Sequence, residues 1–150
     1  VIGMTVVDPI RDEQGWAFRN GPGHSIDPIN GFHFLSEAYR ATDPAYRSRV
    51  TVPVLWDTVT KRIVSNSDDD LMRMFNAEFD RFTASTVDLC PAALRADIDE
   101  MNTFLYEQVN NGVYRAGFAT SQRGYERAAR SVFAALDQLD ARLRVDRHGL

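Results

Sequence analysis

Cysteine, basic charge and long apolar runs are all scarce in this sequence. Its 150 residues include one cysteine, Cys90, so an internal disulfide cannot form and a disulfide-built secreted domain is excluded. The 17 basic and 21 acidic residues give a net charge of -4, which argues against a broad nucleic-acid footprint. Charges, Pro or Gly interrupt every apolar stretch, so no membrane span is expected. These features predict a cytoplasmic globular protein.

The sequence also argues against a metal-binding site. The three histidines, His24, His33 and His148, lack the spacing that metal ligands show. We therefore expect no metal site.

The first half of the chain alternates strand and helix signals. An apolar, β-branched run predicts a buried strand at Val1–Val7. Thr51–Asp57 (TVPVLWD) and Arg62–Ser65 predict an antiparallel hairpin, because only a short polar turn separates them. Residues 10–33 are rich in Gly, Pro, Asn and His and predict a long loop, a kind that is usually functional or disordered. Phe34–Ala41 predicts a short helix.

The second half predicts helices only. Apolar residues between Leu71 and Phe82 recur at the helical period, and residues 83–90 have the composition of a linker. Pro91 favours a helix start, and the apolar stripe that follows it predicts a helix up to Val109. The glycines of Asn110–Thr120 predict a break before a last amphipathic helix. The order of elements thus predicts an α/β domain followed by an all-α domain.

We place these domains at residues 1–82 and 91–150. Three segments carry a resemblance to a known family: RVTVPVLWD (49–57), DLCPAALRADIDEMN (88–102) and above all NNGVYRAGFATSQ (110–122). They resemble the xi-class glutathione transferases, the glutathionyl-hydroquinone reductases, and the resemblance covers nearly the whole chain. It implies a thioredoxin-like N-terminal domain followed by a glutathione-transferase-type helical domain. The first strand and helix of the thioredoxin fold are expected upstream of residue 1.

The resemblance also implies an activity. In that family a Cys-Pro-Trp motif, expected upstream of this sequence, supplies a thiolate that attacks the sulfur of a glutathionyl-hydroquinone. Hydroquinone is released, and a second glutathione resolves the mixed disulfide. Such relatives pair as homodimers, and glutathione or another low-molecular-weight thiol is their co-substrate. Two alternatives stay open: a conjugating transferase with Ser or Tyr at the upstream position, and a non-catalytic thiol-binding or scaffold relative.

Three residues, Val52, Ser67 and Asp68, are candidates for the thiol site in the hairpin region. Thioredoxin-like folds carry a cis bond at the position of Val52-Pro53, which turns the Val52 backbone outward so that an extended peptide can pair with it. Ser67 is a candidate cap of the following helix, whose free N–H groups suit a carboxylate. Relatives have Glu-Ser where this sequence has Ser67-Asp68, and the added negative charge leaves a thiol other than glutathione open. The alternatives are an edge-strand proline and plain capping.

Three further candidates lie outside that region. Trp16 matches an aromatic that covers the thiol in relatives, with a core anchor as the alternative. Arg49 matches a partner for a carboxylate, with a surface charge as the alternative. Tyr114 matches a tyrosine of the hydroquinone pocket and would donate a hydrogen bond to the leaving phenolate. Cys90 precedes a helix start but is expected to be a packed apolar residue rather than a nucleophile.

Overall fold

The computed structural model describes residues 2–146, which divide into two units between Leu89 and Cys90. The first unit contains α1 (Leu35–Thr42), β1 (Leu55–Asp57), β2 (Arg62–Ser65), α2 (Asp68–Ala77) and a 3-10 turn (Asp80–Phe82). The second contains a 3-10 turn (Ala92–Leu94), α3 (Arg95–Phe104), a π-helical turn (Leu105–Asn110), α4 (Asn111–Gly117) and α5 (Gln122–Asp146). Within residues 2–146, none of the helices combines the length and the apolar character that a membrane crossing needs.

The hairpin was predicted from the sequence, but its first strand is shorter than expected. β1 and β2 pair antiparallel, with Trp56 opposite Ile63 and an irregularity in register just before Trp56. The turn is fastened by the Asp57 carboxylate, which accepts hydrogen bonds from the Thr60 hydroxyl at 2.6 Å and the Val59 N–H at 2.8 Å. The Thr60 bond and the backbone bonds lower the pKa of Asp57 below its ordinary value. The residues from Thr51 to Val54, which were expected to belong to this strand, are not paired as one.

The core of the first unit lies on one face of α1. Leu35, Ala38 and Tyr39 are buried there, and partly buried aromatic and β-branched side chains from the flanking segments surround them. Trp56 is one of these, and Phe32 meets its ring edge-on at 5.8 Å between centroids. The Trp56 Nε1 atom is buried and has no hydrogen-bond partner within residues 2–146.

The long loop before α1 is ordered by its own backbone contacts. Isolated bridges pair Asp12 with Gly15 and Ala17 with Phe34, and Gly15 takes the positive φ of 112° that this tight turn needs. Farther along, the buried carboxylate of Asp27 accepts hydrogen bonds from three backbone N–H groups, the shortest at 2.9 Å. The backbone of this loop is therefore held in place by hydrogen bonds within the loop and to Phe34.

The strand expected at residues 1–7 is not present in the described part, residues 2–7. Single hydrogen bonds attach this segment instead, from the Asp8 N–H to the Ala17 carbonyl and from the Ser25 N–H to the Val6 carbonyl. A strand requires a continuous partner, and within residues 2–146 the only sheet is the two-stranded hairpin. The prediction of a strand from the apolar run was therefore wrong for the described residues.

The second unit is helical through the segment that was predicted to break. Asn111–Gly117 forms α4, directly after the π-helical turn, and the chain leaves the helix only at Phe118. Gly112 is buried against α5, where a Cβ atom would lie 2.7 Å from Cγ2 of Val132. Close packing against α5 therefore offsets the low helix propensity of glycine, and the expected break between helices begins only at Phe118 rather than at Asn110.

Candidate functional site

The Val52-Pro53 bond is cis, as predicted, and its two residues are exposed between partly buried neighbours. Val50 and Val54 pack against the core on either side, whereas Val52 is 44% exposed. Among residues 2–146, nothing forms a hydrogen bond with the N–H or C=O of Val52. Both backbone groups are thus available to an extended ligand, which is the geometry of strand-like peptide recognition.

The amino end of α2 follows the β1–β2 hairpin, and Ser67 caps it as predicted. The Ser67 hydroxyl accepts a hydrogen bond from the Asp70 N–H at 3.3 Å, and its own N–H donates to Ser65 Oγ at 3.1 Å. Asp68 is exposed at the first helical position, whereas the neighbouring Asp69 forms an ion pair with Arg73 at 3.1 Å. The helix end keeps the positive dipole that attracts a carboxylate, with one nearby opposing charge at Asp68.

Side-chain hydrogen bonds connect these two features. Asn66, directly before the cap, donates from Nδ2 to Thr51 Oγ1 at 3.0 Å, and Thr51 directly precedes Val52. The Tyr39 hydroxyl donates to the Thr51 carbonyl at 3.0 Å. Sequence reasoning missed Tyr39, Thr51 and Asn66. The one available signal was the position of Thr51 and Asn66, each adjacent to a residue that had been selected.

Arg49 and Trp16 differ in how the structure places them. Arg49 is exposed two residues before Thr51, and its carbonyl accepts a hydrogen bond from the Tyr46 hydroxyl at 2.7 Å. Its guanidinium is therefore displayed on the same segment that leads to the open backbone. Trp16 is half-buried and packs against the core, and its carbonyl accepts from the Leu35 N–H at 2.8 Å. That contact fits the core-anchor alternative.

Tyr114 lies in the second unit, on α4 rather than in a loop. It is 60% exposed, and its ring stacks with that of Phe118 at 6.2 Å between centroids and 8° between planes. The pair forms an exposed aromatic surface beside the end of α4. The expected phenol is therefore accessible, and Phe118 is an aromatic neighbour that sequence reasoning did not select.

Cys90 and the histidines contribute less to a site. Cys90 is half-buried at the start of the second unit, and its carbonyl accepts a hydrogen bond from Arg95 Nε at 3.4 Å. Within residues 2–146, no group of three His, Cys, Asp or Glu side chains is arranged to hold a metal ion. His148 lies outside the described residues.

Known proteins resemble the chain throughout. It is 43% identical over 143 residues to the glutathionyl-hydroquinone reductase PcpF of Sphingobium chlorophenolicum, a match of 95% of this chain and 46% of that protein. It is 46% identical over 140 residues to the glutathionyl-hydroquinone reductase YqjG of Escherichia coli K-12, covering 93% of this chain and 43% of that protein. No protein-family model matches. The chain thus spans about half the length of these relatives.

Solved structures agree with the sequence comparison. The glutathione-bound structure of YqjG matches with a TM-score of 0.86 over 91% of this chain and 45% of that one, at 46% identity. The structure of the Xi glutathione transferase of Phanerochaete chrysosporium matches with a TM-score of 0.88 over 93% of this chain and 49% of that one, at 41% identity. Likeness of this degree confirms the predicted fold class.

Proposed function

The chain belongs to the family of xi-class glutathione transferases and glutathionyl-hydroquinone reductases, and we propose that it functions as part of a glutathione-dependent reductase. The substrates are glutathionyl-hydroquinones or similarly thiolated quinols, and glutathione is the co-substrate. The observation that carries the proposal is the similarity to two named reductases over more than nine tenths of the chain. The open backbone of Val52, beside a capped helix end, supports it physically because a glutathionyl group needs both.

Each candidate residue has a role in this proposal. The Val52 N–H and C=O pair with the peptide backbone of the thiol, as an added strand would. The amino end of α2, capped by Ser67, accepts the γ-glutamyl carboxylate, and Asp68 lies close enough to that end to meet the ligand's ammonium or oppose its carboxylate. The Arg49 guanidinium pairs with the remaining carboxylate, and Trp16 borders the thiol.

The proposed chemistry exchanges one bond to sulfur for another. A cysteine thiolate outside this sequence attacks the sulfur of the glutathionyl group, so an S–S bond forms as the aryl C–S bond breaks. The aryl fragment takes up a proton and leaves as hydroquinone, and Tyr114 donates a hydrogen bond to its oxygen. A second glutathione thiolate then attacks the mixed disulfide. That step releases glutathione disulfide and restores the enzyme thiolate.

Calorimetric titration of the protein with glutathione tests the binding step. Cysteinylglycine is a matched control ligand, because it keeps the thiol and the glycine carboxylate but lacks the γ-glutamyl group. We expect glutathione to bind at least tenfold more tightly. Equal affinities would remove the role of the α2 amino end, and an absence of both heat of binding and hydroquinone release would refute the proposed function.

The proposal assigns no nucleophilic role to Cys90. In the full-length protein, which supplies the attacking thiolate, Cys90→Ser should therefore leave the rate of hydroquinone release within about threefold, because the backbone contact of Cys90 with Arg95 is kept. A loss of a hundredfold or more would show that Cys90 is the attacking thiol.

We also propose that the protein works as a homodimer in the cytoplasm. Exposed apolar side chains of the second unit support pairing, among them Val113, Phe118 and Phe133, each more than half exposed. A sequence whose single cysteine cannot form an internal disulfide suits a reducing compartment. Light scattering at micromolar concentration tests the first point, and a stable monomer would refute it.

A further inference from the structure

Thr51 makes an unusual number of hydrogen bonds for a residue in a loop. Its Oγ1 accepts from Asn66 Nδ2 at 3.0 Å, and its carbonyl accepts from the Tyr39 hydroxyl at 3.0 Å. The Tyr39 oxygen also lies 3.3 Å from Thr51 Oγ1 and 3.4 Å from its backbone nitrogen. One residue is thereby fixed to the core on one side and to the segment before α2 on the other.

The anchor on the core side is rigid. Tyr39 is 4% exposed, and its ring packs against that of Tyr46 at 4.8 Å between centroids. The Tyr46 hydroxyl in turn donates to the Arg49 carbonyl at 2.7 Å. Burial and the neighbouring Tyr39 raise the pKa of Tyr46, so its hydroxyl remains a donor well above neutral pH. Two adjacent phenols thus hold the backbone at residues 49 and 51, immediately before Val52.

The other contact of Thr51 reaches the second half of the candidate site. Asn66 is the residue before Ser67, so the bond from Asn66 to Thr51 fixes the amino end of α2 relative to the open backbone of Val52. A ligand held at both points requires a set distance between them, because hydrogen bonds weaken steeply when their geometry is poor. Correct placement of this kind contributes to binding and reaction without any contact to the ligand.

We propose that Thr51 is a positioning residue, which sets the Val52 backbone and the α2 amino end at the separation a glutathionyl group spans. The inference rests on the proposed function. It adds a residue that touches neither substrate nor reacting atoms but determines how well both ends of the thiol are held.

Thr51→Val and Thr51→Ser separate the hydroxyl from the shape of the side chain. Valine keeps the volume and the backbone contact with Tyr39 but loses Oγ1, whereas serine keeps Oγ1. Loss of one connecting hydrogen bond should weaken glutathione binding about fivefold, measured by calorimetry, and serine should stay within about twofold. In the hydroquinone-release assay, Thr51→Val should raise KM for glutathione and leave kcat within about twofold.

Thr42→Val is the matched control. The Thr42 hydroxyl also makes two hydrogen bonds in this unit, donating to the Ala38 carbonyl at 2.9 Å and accepting from the Ile63 N–H at 2.8 Å. The bond to Ala38 lies within α1, the bond to Ile63 connects α1 to β2, and neither involves a candidate site residue. Thr42→Val should lower the unfolding midpoint and leave glutathione affinity unchanged.

Each outcome decides the matter. An unsubstituted protein that does not bind glutathione overturns the proposed function and this inference together. If that protein binds but Thr51→Val binds equally well, only the inference fails. It also fails if Thr42→Val weakens binding as much, since the effect is then one of general stability. Should Thr51→Val not fold, Asn66→Ala removes the same hydrogen bond from the exposed side, and unchanged affinity there refutes the positioning role.

Discussion

Replacement of Asp68 by serine isolates the one carboxylate that opposes a ligand at the amino end of α2. Asp68 is exposed at the first helical position, and within the described residues no cation lies at ion-pair distance from it. The neighbouring Asp69 is different, because Arg73 compensates its charge at 3.1 Å. Asp68→Ser should therefore change the electrostatics of the thiol site more than substitution of either neighbouring aspartate.

The magnitude follows from two opposing contributions. The helix dipole favours a ligand carboxylate by about 0.3–1 kcal/mol. A fixed carboxylate about 4 Å from that ligand opposes it by about 1 kcal/mol in water and about 4 kcal/mol at an effective dielectric constant of 20. Because Asp68 is exposed, the value in water is the appropriate lower bound. Asp68→Ser should then tighten glutathione binding at least about fivefold.

The same change should act on stability with the opposite sign. A negative charge in the first helical turn stabilises α2 through the dipole, so Asp68→Ser should lower the free energy of unfolding while it raises the affinity. Divergence of the two quantities excludes a general effect on folding. It can be measured on one preparation, by chemical denaturation and calorimetric titration.

Asp70→Ser serves as the control. Asp70 is also exposed, but helical geometry turns it about 200° from Asp68, so its removal should alter affinity by less than twofold. The gain from Asp68→Ser should also shrink in 1 M salt, where the screening length is about 3 Å. An Asp68→Ser protein that binds glutathione equally or more weakly would refute the reasoning and identify Asp68 as a partner of the ligand's ammonium.

Two further predictions concern packing and acid stability. Gly112→Ala should lower the free energy of unfolding by up to about 2 kcal/mol in a denaturation experiment. Overpacking against Val132 costs about 1–3 kcal/mol, and the gain in helix propensity returns about 1 kcal/mol. Gly117→Ala is the control and should be neutral or stabilising, because a Cβ there would meet nothing within 4 Å. The hydrogen bond from Arg19 lowers the pKa of Asp12 below the ordinary 3.8, so its stabilising effect is present above that pH and is lost as the pH falls through the lowered value. Arg19→Gln should raise the pKa of Asp12 towards 3.8 in a carboxyl NMR titration, and an unchanged value would refute the pairing.

The sequence predicted those elements that depend on neighbouring residues. The cap of α2 by Ser67 and the strand Arg62–Ser65 were predicted correctly, since local hydrogen bonding and a short connection specify them. The expected strand at residues 1–7 was wrong because pairing requires a distant partner. The break expected over Asn110–Thr120 was placed too early, because the contact of Gly112 with α5 is a tertiary contact that no local pattern reports.

The candidate site likewise has one part that the sequence marks and another that only the fold brings together. Val52, with its cis bond, and the capped end of α2 could be found because proline and a run of acidic residues mark them in the sequence. The network that joins them could not be found, because Tyr39 lies 12 residues and Asn66 lies 15 residues from Thr51. Nothing in the chemistry of an ordinary threonine distinguishes it before the fold brings these partners together.

The positions of the two tryptophans give the molecule separate optical signals for its two units. Trp16 and Trp56 both lie in the first unit, so tryptophan fluorescence reports on that unit alone. Both indoles are half-buried against the core of that unit, so its unfolding should shift their emission to longer wavelength. Most of the α-helix lies in the second unit and dominates the far-ultraviolet circular dichroism. Cooperative unfolding of both units would make the two signals change together, whereas independent unfolding would separate them along the same denaturant axis.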